Sequence, residues 1–203
     1  MTLYATYSAW VAGVKDWLDA DHLTDAQIGS FIQLAQERLN RELAAWEMEA
    51  TVTTAASGGT VSLPADFNRI RQVSVEGVGT YDSSTKGQIV NLEADDDDSL
   101  RMFAIDAGAI IIWPTPKDGA MVTIDYFVKV PPIGASLNTN VFTDNYASLL
   151  LYAAMAEGSN FIVEDDRAQG FEQKYIMTLE VANQKPKKVK LGSTPLRRFV
   201  RSA

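Results

Sequence analysis

Apolar residues recur at every third or fourth position near the start of the chain, a spacing that predicts amphipathic helices. The first helix is predicted over Tyr7–Asp19. The second begins at Thr24–Gln27, which matches a capping box, in which the Thr and Gln side chains each accept a hydrogen bond from the other residue's backbone N–H. The predicted apolar stripes are Trp10, Val14, Trp17 and Leu18 in the first helix, and Ile28, Phe31, Ile32, Ala35, Leu39, Leu43 and Trp46 in the second.

The same spacing returns over residues 142–183, where it predicts two helices joined by a short turn. Thr143–Asp144 is the expected N-cap of the first helix, and Gly158 is its expected C-terminal end. The second helix is expected to begin at Glu164–Asp166, because acidic residues favour the positive end of the helix dipole. The predicted stripes are Tyr146, Leu149, Leu150 and Ala153, followed by Ala168, Phe171, Tyr175, Leu179 and Ala182.

Between these helical regions apolar and polar residues alternate, which predicts β-strands. The longest predicted strand is Ala120–Val130, in which Val122, Ile124 and Tyr126 share one face, and it stops at Pro131–Pro132. The other predicted strands are Glu49–Thr54, Thr60–Leu63, Asn68–Glu76, Gln88–Leu92, Arg101–Ile105 and Ala109–Trp113.

This order of elements predicts an α+β protein. A helical hairpin with one apolar stripe per helix cannot bury both stripes alone, so the N-terminal and C-terminal helix pairs are expected to form one helical bundle. A small antiparallel β domain is inserted between them. The predicted parts are the N-terminal bundle helices over 1–47, the inserted β domain over 48–132, the C-terminal helical hairpin over 133–183 and an extended basic tail over 184–203.

The composition argues against the common kinds of active site. The 203 residues contain no cysteine and a single histidine, so thiolate chemistry, cysteine-based zinc sites and multi-histidine metal sites are excluded. That histidine, His22, lies just before the capping box and is interpreted as a loop residue rather than a base. No catalytic motif, cofactor or metal site is predicted, so we do not expect an enzyme. No signal peptide is predicted, and no apolar run approaches the ~20 residues that span a bilayer.

The tryptophans are interpreted mainly as core residues. Trp10, Trp17 and Trp46 lie on predicted helical stripes. Trp113 ends a predicted strand, and two roles stay open for it: a cap on the β domain, or an interface residue. In a remote alternative, a carbohydrate-active β domain would stack sugar on Trp113 and Tyr126, but no carboxylate spacing supports it.

The charge is unevenly distributed along the chain. The net charge is −8, yet the segment from Lys185 onward carries seven basic residues and no acidic one. The preceding 184 residues therefore hold 11 basic and 26 acidic residues, a net charge of −15. An acidic body with a basic tail suggests a tail that binds nucleic acid or an acidic protein surface, including that of a neighbouring copy. The apolar residues of the tail favour docking in a groove on a partner over a disordered terminus.

An acidic run at Asp95–Asp98 is the other charged feature of the sequence. It lacks the alternating ligand spacing and the final glutamate of an EF-hand calcium loop. A solvated loop or the start of a helix is therefore the preferred interpretation.

Several short motifs resemble those of a known family. The strand containing Asp125-Tyr126-Phe127 runs into Pro131–Pro132, a polar loop and the helical hairpin. Leu63-Pro64-x-Asp66-Phe67 opens one strand, and Ile112-Trp113-Pro114-x-Pro116 closes another. With the order of elements over nearly the whole chain, this resembles the head-to-tail adaptor proteins of tailed bacteriophages, in particular the tail tubular protein A type of short-tailed phages.

The resemblance implies a structural protein of the virion neck, made in the host cytoplasm. Such adaptors form a ring, commonly dodecameric, beneath the portal protein. The ring extends the DNA channel and carries the next tail component, a nozzle or its equivalent, while DNA passes without specific binding. A C-terminal extension docks on the portal, which here assigns that role to Lys187, Lys188, Lys190, Leu196, Arg197, Arg198, Phe199 and Arg201. Asp95, Asp96, Asp97 and Asp98 are candidate channel-lining acids, since negative charge repels DNA phosphates and lets DNA slide.

Two other functions stay open from the sequence. Within the same structural class, the chain could be a different neck or tail component, such as a stopper or a tail-completion protein. Outside it, the seven basic residues of the tail could make the chain a nucleic-acid-binding module with a basic arm. The acidic body argues against this alternative, because it would repel the DNA backbone.

Overall fold

The structure is a computed structural model that describes residues 4–94 and 99–192, except for the side chains of residues 185–192. In this part of the chain it contains six α-helices and seven β-strands, which confirms the predicted mixed α+β class. The elements in chain order are α1 (Tyr7–Leu18), α2 (Asp25–Glu42), β1 (Glu49–Ala55), β2 (Thr60–Ser62), β3 (Phe67–Val75), β4 (Gly79–Ser83), α3 (Lys86–Ala94), β5 (Met102–Asp106), β6 (Ala109–Trp113), β7 (Met121–Val128), α4 (Val141–Asn145), α5 (Ala147–Phe161) and α6 (Asp165–Gly192).

The chain forms two compact units. The helical unit comprises Met1–Glu47 and Val130–Ala203, and the strand unit comprises Met48–Lys129. The helical unit is therefore built from both ends of the sequence, because neither helix pair can bury its apolar stripe alone.

Helices α1 and α2 begin where they were predicted to begin, and a side chain caps each of them. Thr6 caps α1 by accepting a hydrogen bond from the backbone N–H of Ala9 at 3.2 Å. The capping box of α2 is complete: Thr24 Oγ1 accepts from the Gln27 N–H at 3.3 Å, and Gln27 Oε1 accepts from the Thr24 N–H at 2.9 Å. These contacts satisfy N–H groups that the first turn of a helix leaves without partners.

Helix α2 ends earlier than its apolar stripe predicts. Its last residue is Glu42, and Leu43 adopts extended backbone angles. The continuation of the stripe to Trp46 was wrong, because Trp46 lies in the following 3-10 turn and is 60% exposed. Leu43 is nevertheless fully buried, as predicted.

Helix α5 lies at the centre of the helical unit and packs against α1, α2 and α6. The prediction that Gly158 ends this helix was wrong, because α5 continues to Phe161. Gly158 is instead where α1 approaches closely: a methyl group there would lie 2.6 Å from Cδ1 of Leu18. A position without a side chain leaves room on α5 for the side chain of Leu18.

The start of the C-terminal hairpin also differs from the prediction. The N-cap is Asn140, not Thr143–Asp144, and its side-chain oxygen accepts from the N–H groups of Phe142 and Thr143. Thr143 is the third residue of the short helix α4, and its hydroxyl completes a capping box by accepting from the Asn140 N–H. A first turn capped at Asn140 precedes the main helix α5.

Helix α6 follows its predicted stripe and extends beyond its predicted end. Ala168, Phe171, Tyr175 and Ala182 are buried, and Leu179 is half-buried. The tail was predicted to begin at residue 184, before Pro186, but the helix continues to Gly192. A proline within a helix removes the hydrogen bond of its own nitrogen, and its ring crowds the carbonyl one turn earlier. The residues around it can nevertheless remain helical at an energetic cost.

The strand unit is one seven-stranded sheet with the order β1-β7-β3-β4-β5-β6-β2. All neighbouring strands are antiparallel except β4 and β5, which are parallel, so the expectation of a purely antiparallel β domain was wrong. Residues from strands near both edges of the sheet share one core. The buried members of this core are Ala56, Val61, Val73, Val75, Tyr81, Phe103, Ile110, Ile112, Val122, Ile124 and Tyr126.

The parallel pair explains why Gln88–Leu92, predicted as a strand, is part of helix α3. Two parallel strands cannot be joined by a tight hairpin, so the chain between β4 and β5 needs a crossover connection. Helix α3 is that connection, and Ile89 packs on the outer side of the sheet against Trp113 and Ala104. Strand β4 itself was not predicted.

Candidate assembly surfaces

The residues predicted to dock on the portal lie at the edge of what the structure describes. Lys187, Lys188 and Lys190 belong to the last turns of α6. The remaining predicted docking residues, Leu196, Arg197, Arg198, Phe199 and Arg201, and the acidic run Asp95–Asp98 lie outside the described residues. The described residues instead show how the helical unit is held together and which surfaces it leaves exposed.

Two buried amides on α2 fix the chain where it returns from the strand unit. The side chain of Asn40 donates to the Val130 carbonyl at 3.0 Å and accepts from the Val130 N–H at 2.9 Å. One turn earlier, Gln36 Oε1 accepts from the Ile133 N–H at 2.8 Å and from the Asn140 side chain at 3.0 Å. Gln36 is 1% exposed, so these bonds satisfy backbone groups that water cannot reach.

The chain segment that leaves the helical unit is also held. The hydroxyl of Tyr146 donates to Glu47 Oε2 at 2.7 Å. Burial of this phenol, together with the neighbouring carboxylate, raises the pKa of Tyr146, so the hydroxyl stays a donor. Glu47 and Val130, where the chain leaves and re-enters the helical unit, therefore both have side-chain anchors within that unit.

Arg38 joins α2 to α6 through paired hydrogen bonds. Its guanidinium contacts Glu172 of α6 with two nitrogens, one of them at 2.7 Å from Oε2. The hydrogen bond from Arg38 lowers the pKa of the Glu172 carboxyl group, and that carboxylate in turn raises the pKa of Arg38. Paired contacts of this kind fix orientation as well as adding energy.

Tyr175 lies beneath the same guanidinium. The centre of its ring is 4.0 Å from Arg38 Cζ, and its hydroxyl donates to Glu42 Oε2 at 2.8 Å. Burial is the main cause of the raised pKa of Tyr175, and the hydrogen bond to Glu42 adds to it. Arg38 also contacts Glu42 directly at 3.2 Å, so the four side chains form one polar network between the two helices.

A group of apolar side chains is exposed around the turn between α5 and α6. The group contains Trp17 of α1, Leu34 of α2, and Phe161 and Val163 at the turn itself, and we call it the turn patch. Arg167 connects α1 to this turn by donating to the Trp17 carbonyl at 2.8 Å. The centre of the Phe161 ring lies 5.3 Å from that of Phe31, and Phe31 lies on α2 one helical turn before Leu34.

The exposure of Trp17 contradicts its assignment to the core. Trp10, Val14 and Leu18 are buried and lie four residues apart, whereas Trp17 is 50% exposed. Neighbouring residues on a helix point in directions about 100° apart, so Trp17 is turned away from the buried face that Leu18 occupies. Trp10 is fully buried, as predicted.

A second exposed apolar group lies further along α6. Ile176, Met177 and Val181 are all exposed there, and all lie off the buried stripe of the helix. Scattered apolar residues on a surface are ordinary, but several on one helix indicate a surface that a partner can cover.

The aromatic residues of the strand unit do not form a sugar platform. Trp113 is buried under α3, and Tyr126 is buried in the sheet core with its hydroxyl 3.0 Å from Asp66 Oδ1. Trp113 therefore caps the outer side of the sheet within the strand unit. His22 lies in an exposed turn, as expected.

The described residues contain no cluster of three or more His, Asp or Glu side chains arranged to hold a metal ion. Over the same residues, no helix combines the length and apolar character needed to cross a bilayer.

Comparison with known proteins assigns the family. No curated protein matches the chain. The sequence model of the SU10 adaptor protein family, however, matches residues 5–198. This match covers both ends of the helical unit, the inserted strand unit and most of the basic tail, and it agrees with the adaptor resemblance seen in the sequence. The chain therefore belongs to the SU10 adaptor protein family, which places it among the structural adaptor proteins of phage virions.

Proposed function

We propose that the protein is a head-to-tail adaptor whose copies form a ring, commonly dodecameric in proteins of this kind, on the portal protein. The ring extends the DNA channel and supplies the platform for the next tail component, in the manner of tail tubular protein A. The observation that carries the proposal is the family match over residues 5–198. The internal anchors at Gln36, Asn40 and Tyr146 support it, because a subunit that repeats in a ring needs a helical unit of fixed shape.

The basic tail is the proposed portal-docking segment. It combines apolar side chains, which contribute burial energy, with basic ones, which select an acidic surface. Helix α6 carries the lysines at its C-terminal end, where cations interact favourably with the helix dipole. The proposed docking residues are those named from the sequence: Lys187, Lys188, Lys190, Leu196, Arg197, Arg198, Phe199 and Arg201.

Co-sedimentation with the cognate portal ring tests this role. The full chain is compared with a version that ends at Gly192, the last residue of α6, and with a version in which Arg197, Arg198 and Arg201 are replaced by Gln. We expect the full chain to sediment with the ring, the shortened chain to stay in the supernatant, and the Gln variant to bind more weakly. Full binding by the shortened chain would exclude residues 193–203 from the docking role.

The acidic run Asp95–Asp98 is the proposed channel lining, because negative charge disfavours adhesion of DNA phosphates. Replacing all four residues by Asn should increase the retention of DNA by assembled rings at low salt. Unchanged retention would place this run away from the channel.

A basic arm that binds nucleic acid is the alternative function. Seven basic residues in the tail motivate it, and its signature would be DNA binding by the free protein that weakens steeply as salt is raised. The net charge of −15 on the rest of the chain disfavours it. A retention assay with duplex DNA at low salt separates the two functions, since the adaptor is expected not to be retained.

A further inference from the structure

The turn patch contains an exposed apolar residue with a strained backbone, and both features are unfavourable in the isolated chain. Val163 is 78% exposed and adopts the left-handed conformation with φ of 62°. This conformation is unfavourable for a β-branched residue, and glycine or asparagine would relieve it. An apolar, strained residue at the tip of a turn indicates that its side chain has a function at the surface, such as binding a partner.

Acidic residues surround the turn patch. Asp16 and Asp19 lie at the end of α1, and Glu164, Asp165 and Asp166 lie at the start of α6; all are exposed except Glu164, which is half-buried. The nearby bases are Lys15, Arg38 and Arg167. The guanidinium of Arg167 is already bonded to Glu164 at 2.6 Å, and that of Arg38 is bonded to Glu172. A shallow recess beside the patch is lined by Asn160, Asp165, Ala168, Gln169, Glu172 and Gln173. The partner that fits this surface is apolar and positively charged.

The C-terminal segment of the chain has this chemistry. Leu196, Phe199 and Val200 supply apolar side chains, and Arg197, Arg198 and Arg201 supply positive charge, with no acidic residue among them. Apolar burial and charge complementarity would then act on the same contact.

The segment cannot reach the turn patch of its own chain. Asp165 and Gly192 are the two ends of the 28-residue helix α6, and 27 steps of 1.5 Å place them about 40 Å apart. Phe199 follows Gly192 by seven residues, so even a fully extended chain carries it only about 25 Å. The segment that docks on a given turn patch must therefore come from another molecule.

We propose that, in the absence of the portal, the turn patch of one copy binds the segment Leu196–Arg201 of a second copy. This inference rests on the proposed function for the role of the tail as a docking segment. The portal and the turn patch of another copy are then alternative binding sites for the same tail. The contact joins two unlike surfaces, so in a pair one copy keeps a free tail and the other keeps a free patch. Such head-to-tail contacts build rings or open chains rather than closed pairs.

Sedimentation velocity of the full-length protein without portal tests the contact. The patch variant is Val163→Gly, the tail variant is Phe199→Ser, and the matched control is Val90→Ser, which removes an exposed apolar residue from α3. We expect the wild type and the control to associate as concentration rises, and each of the other variants to associate about tenfold or more weakly.

A mixture of the two defective variants gives the decisive result. The patch variant retains a working tail and the tail variant retains a working patch, so their equimolar mixture should form a heterodimer that does not grow further. Absence of this heterodimer, or wild-type association by either single variant, overturns the proposal. If Val163→Gly fails to fold by circular dichroism, the pair Asp165→Asn and Asp166→Asn replaces it as the patch variant. Because portal is absent throughout, failure here leaves collar formation on portal rings as a separate question.

Discussion

The side chain of Asn183 on α6 closes the C-terminal end of α2. Its amide oxygen accepts a hydrogen bond from the Ala44 N–H at 2.7 Å, and its amide nitrogen donates to the Glu42 carbonyl at 3.1 Å. The end of one helix is thus fixed by a side chain that lies 139 residues away in the sequence. This contact explains why α2 stops at Glu42, although the apolar stripe continues.

Replacing Asn183 by Ala should lower the free energy of unfolding by about 1–3 kcal/mol, because two partly buried backbone groups lose their partner. The measurement is urea unfolding followed by circular dichroism. Gln173→Ala is the control, since Gln173 is exposed on the same helix, and it should change stability by no more than about 0.5 kcal/mol. Equal effects of the two substitutions would show that the Asn183 contacts do not stabilise the fold.

Two glycines in helices should respond in opposite directions to an added methyl group. Gly158→Ala places Cβ 2.6 Å from Leu18 Cδ1, so it should destabilise the protein by about 1–3 kcal/mol through overpacking. At Gly170 nothing lies within 4 Å of an added Cβ, so Gly170→Ala should stabilise α6 by about 0.5–1 kcal/mol. Thermal unfolding of both variants measures the difference. A neutral Gly158→Ala would mean that α1 and α5 are not closely packed at this point.

The buried amide of Gln36 can be compared with an exposed glutamine on the same helix. Gln36→Leu leaves the Ile133 N–H buried without its partner and should cost about 1–3 kcal/mol in the free energy of unfolding. Gln33→Leu makes the same chemical change at an exposed position one turn earlier and should be nearly neutral. Chemical denaturation of the two variants gives the comparison, and a neutral result for Gln36→Leu would contradict the anchoring role.

The contact between Arg38 and Glu172 should make stability depend on pH on the acidic side. The pKa of Glu172 is lowered in the folded protein from an ordinary value near 4.5, chiefly by its hydrogen bond to Arg38. The folded state therefore binds fewer protons, and the contribution is present above the unfolded pKa and is lost as the pH falls through the folded value.

Glu172→Gln should accordingly flatten the loss of stability below about pH 4.5, when unfolding free energy is measured across pH 2–6. Glu180→Gln removes an exposed carboxylate from the same helix and should reproduce the wild-type slope. A variant at Glu172 with an unchanged slope would argue against the ion pair.

Features that depend on neighbouring residues in sequence were predictable. The capping box at Thr24–Gln27 and the buried face of α6 through Tyr175 follow from local spacing, and both are present. Strands β5 and β6 also lie where the strands Arg101–Ile105 and Ala109–Trp113 were predicted. Such patterns are satisfied within one element, so tertiary contacts have little opportunity to override them.

Features decided by tertiary contacts were not predictable in the same way. The apolar run in Gln88–Leu92 is too short for its spacing to distinguish a strand from a helix. The segment is helical because it forms the crossover between two parallel strands. Gly158 resembles a helix end in the sequence, whereas the close approach of Leu18 explains its presence. The end of α2 depends on Asn183, a contact that no local pattern contains.

The structural anchors did leave a signal in the sequence that was missed. Gln36 and Asn40 lie four residues apart beside the apolar positions Ala35 and Leu39 of α2. Amides adjoining a buried helical stripe indicate internal hydrogen-bonding partners, because burying an unpaired amide is costly. The exposed turn patch left no comparable signal, since its residues come from three helices and a turn that meet only in the fold.

The proposed adaptor role, in which this chain joins a portal to a tail, can be tested by imaging the assembly. Purified cognate portal rings are mixed with the full-length protein and examined by negative-stain electron microscopy, with portal alone and portal plus the version ending at Gly192 beside it. We predict an additional collar on one face of the ring with the full-length protein only. Bare rings in all three samples would contradict the adaptor role on the portal, whereas a collar with both forms of the protein would keep that role and assign the docking to residues other than 193–203.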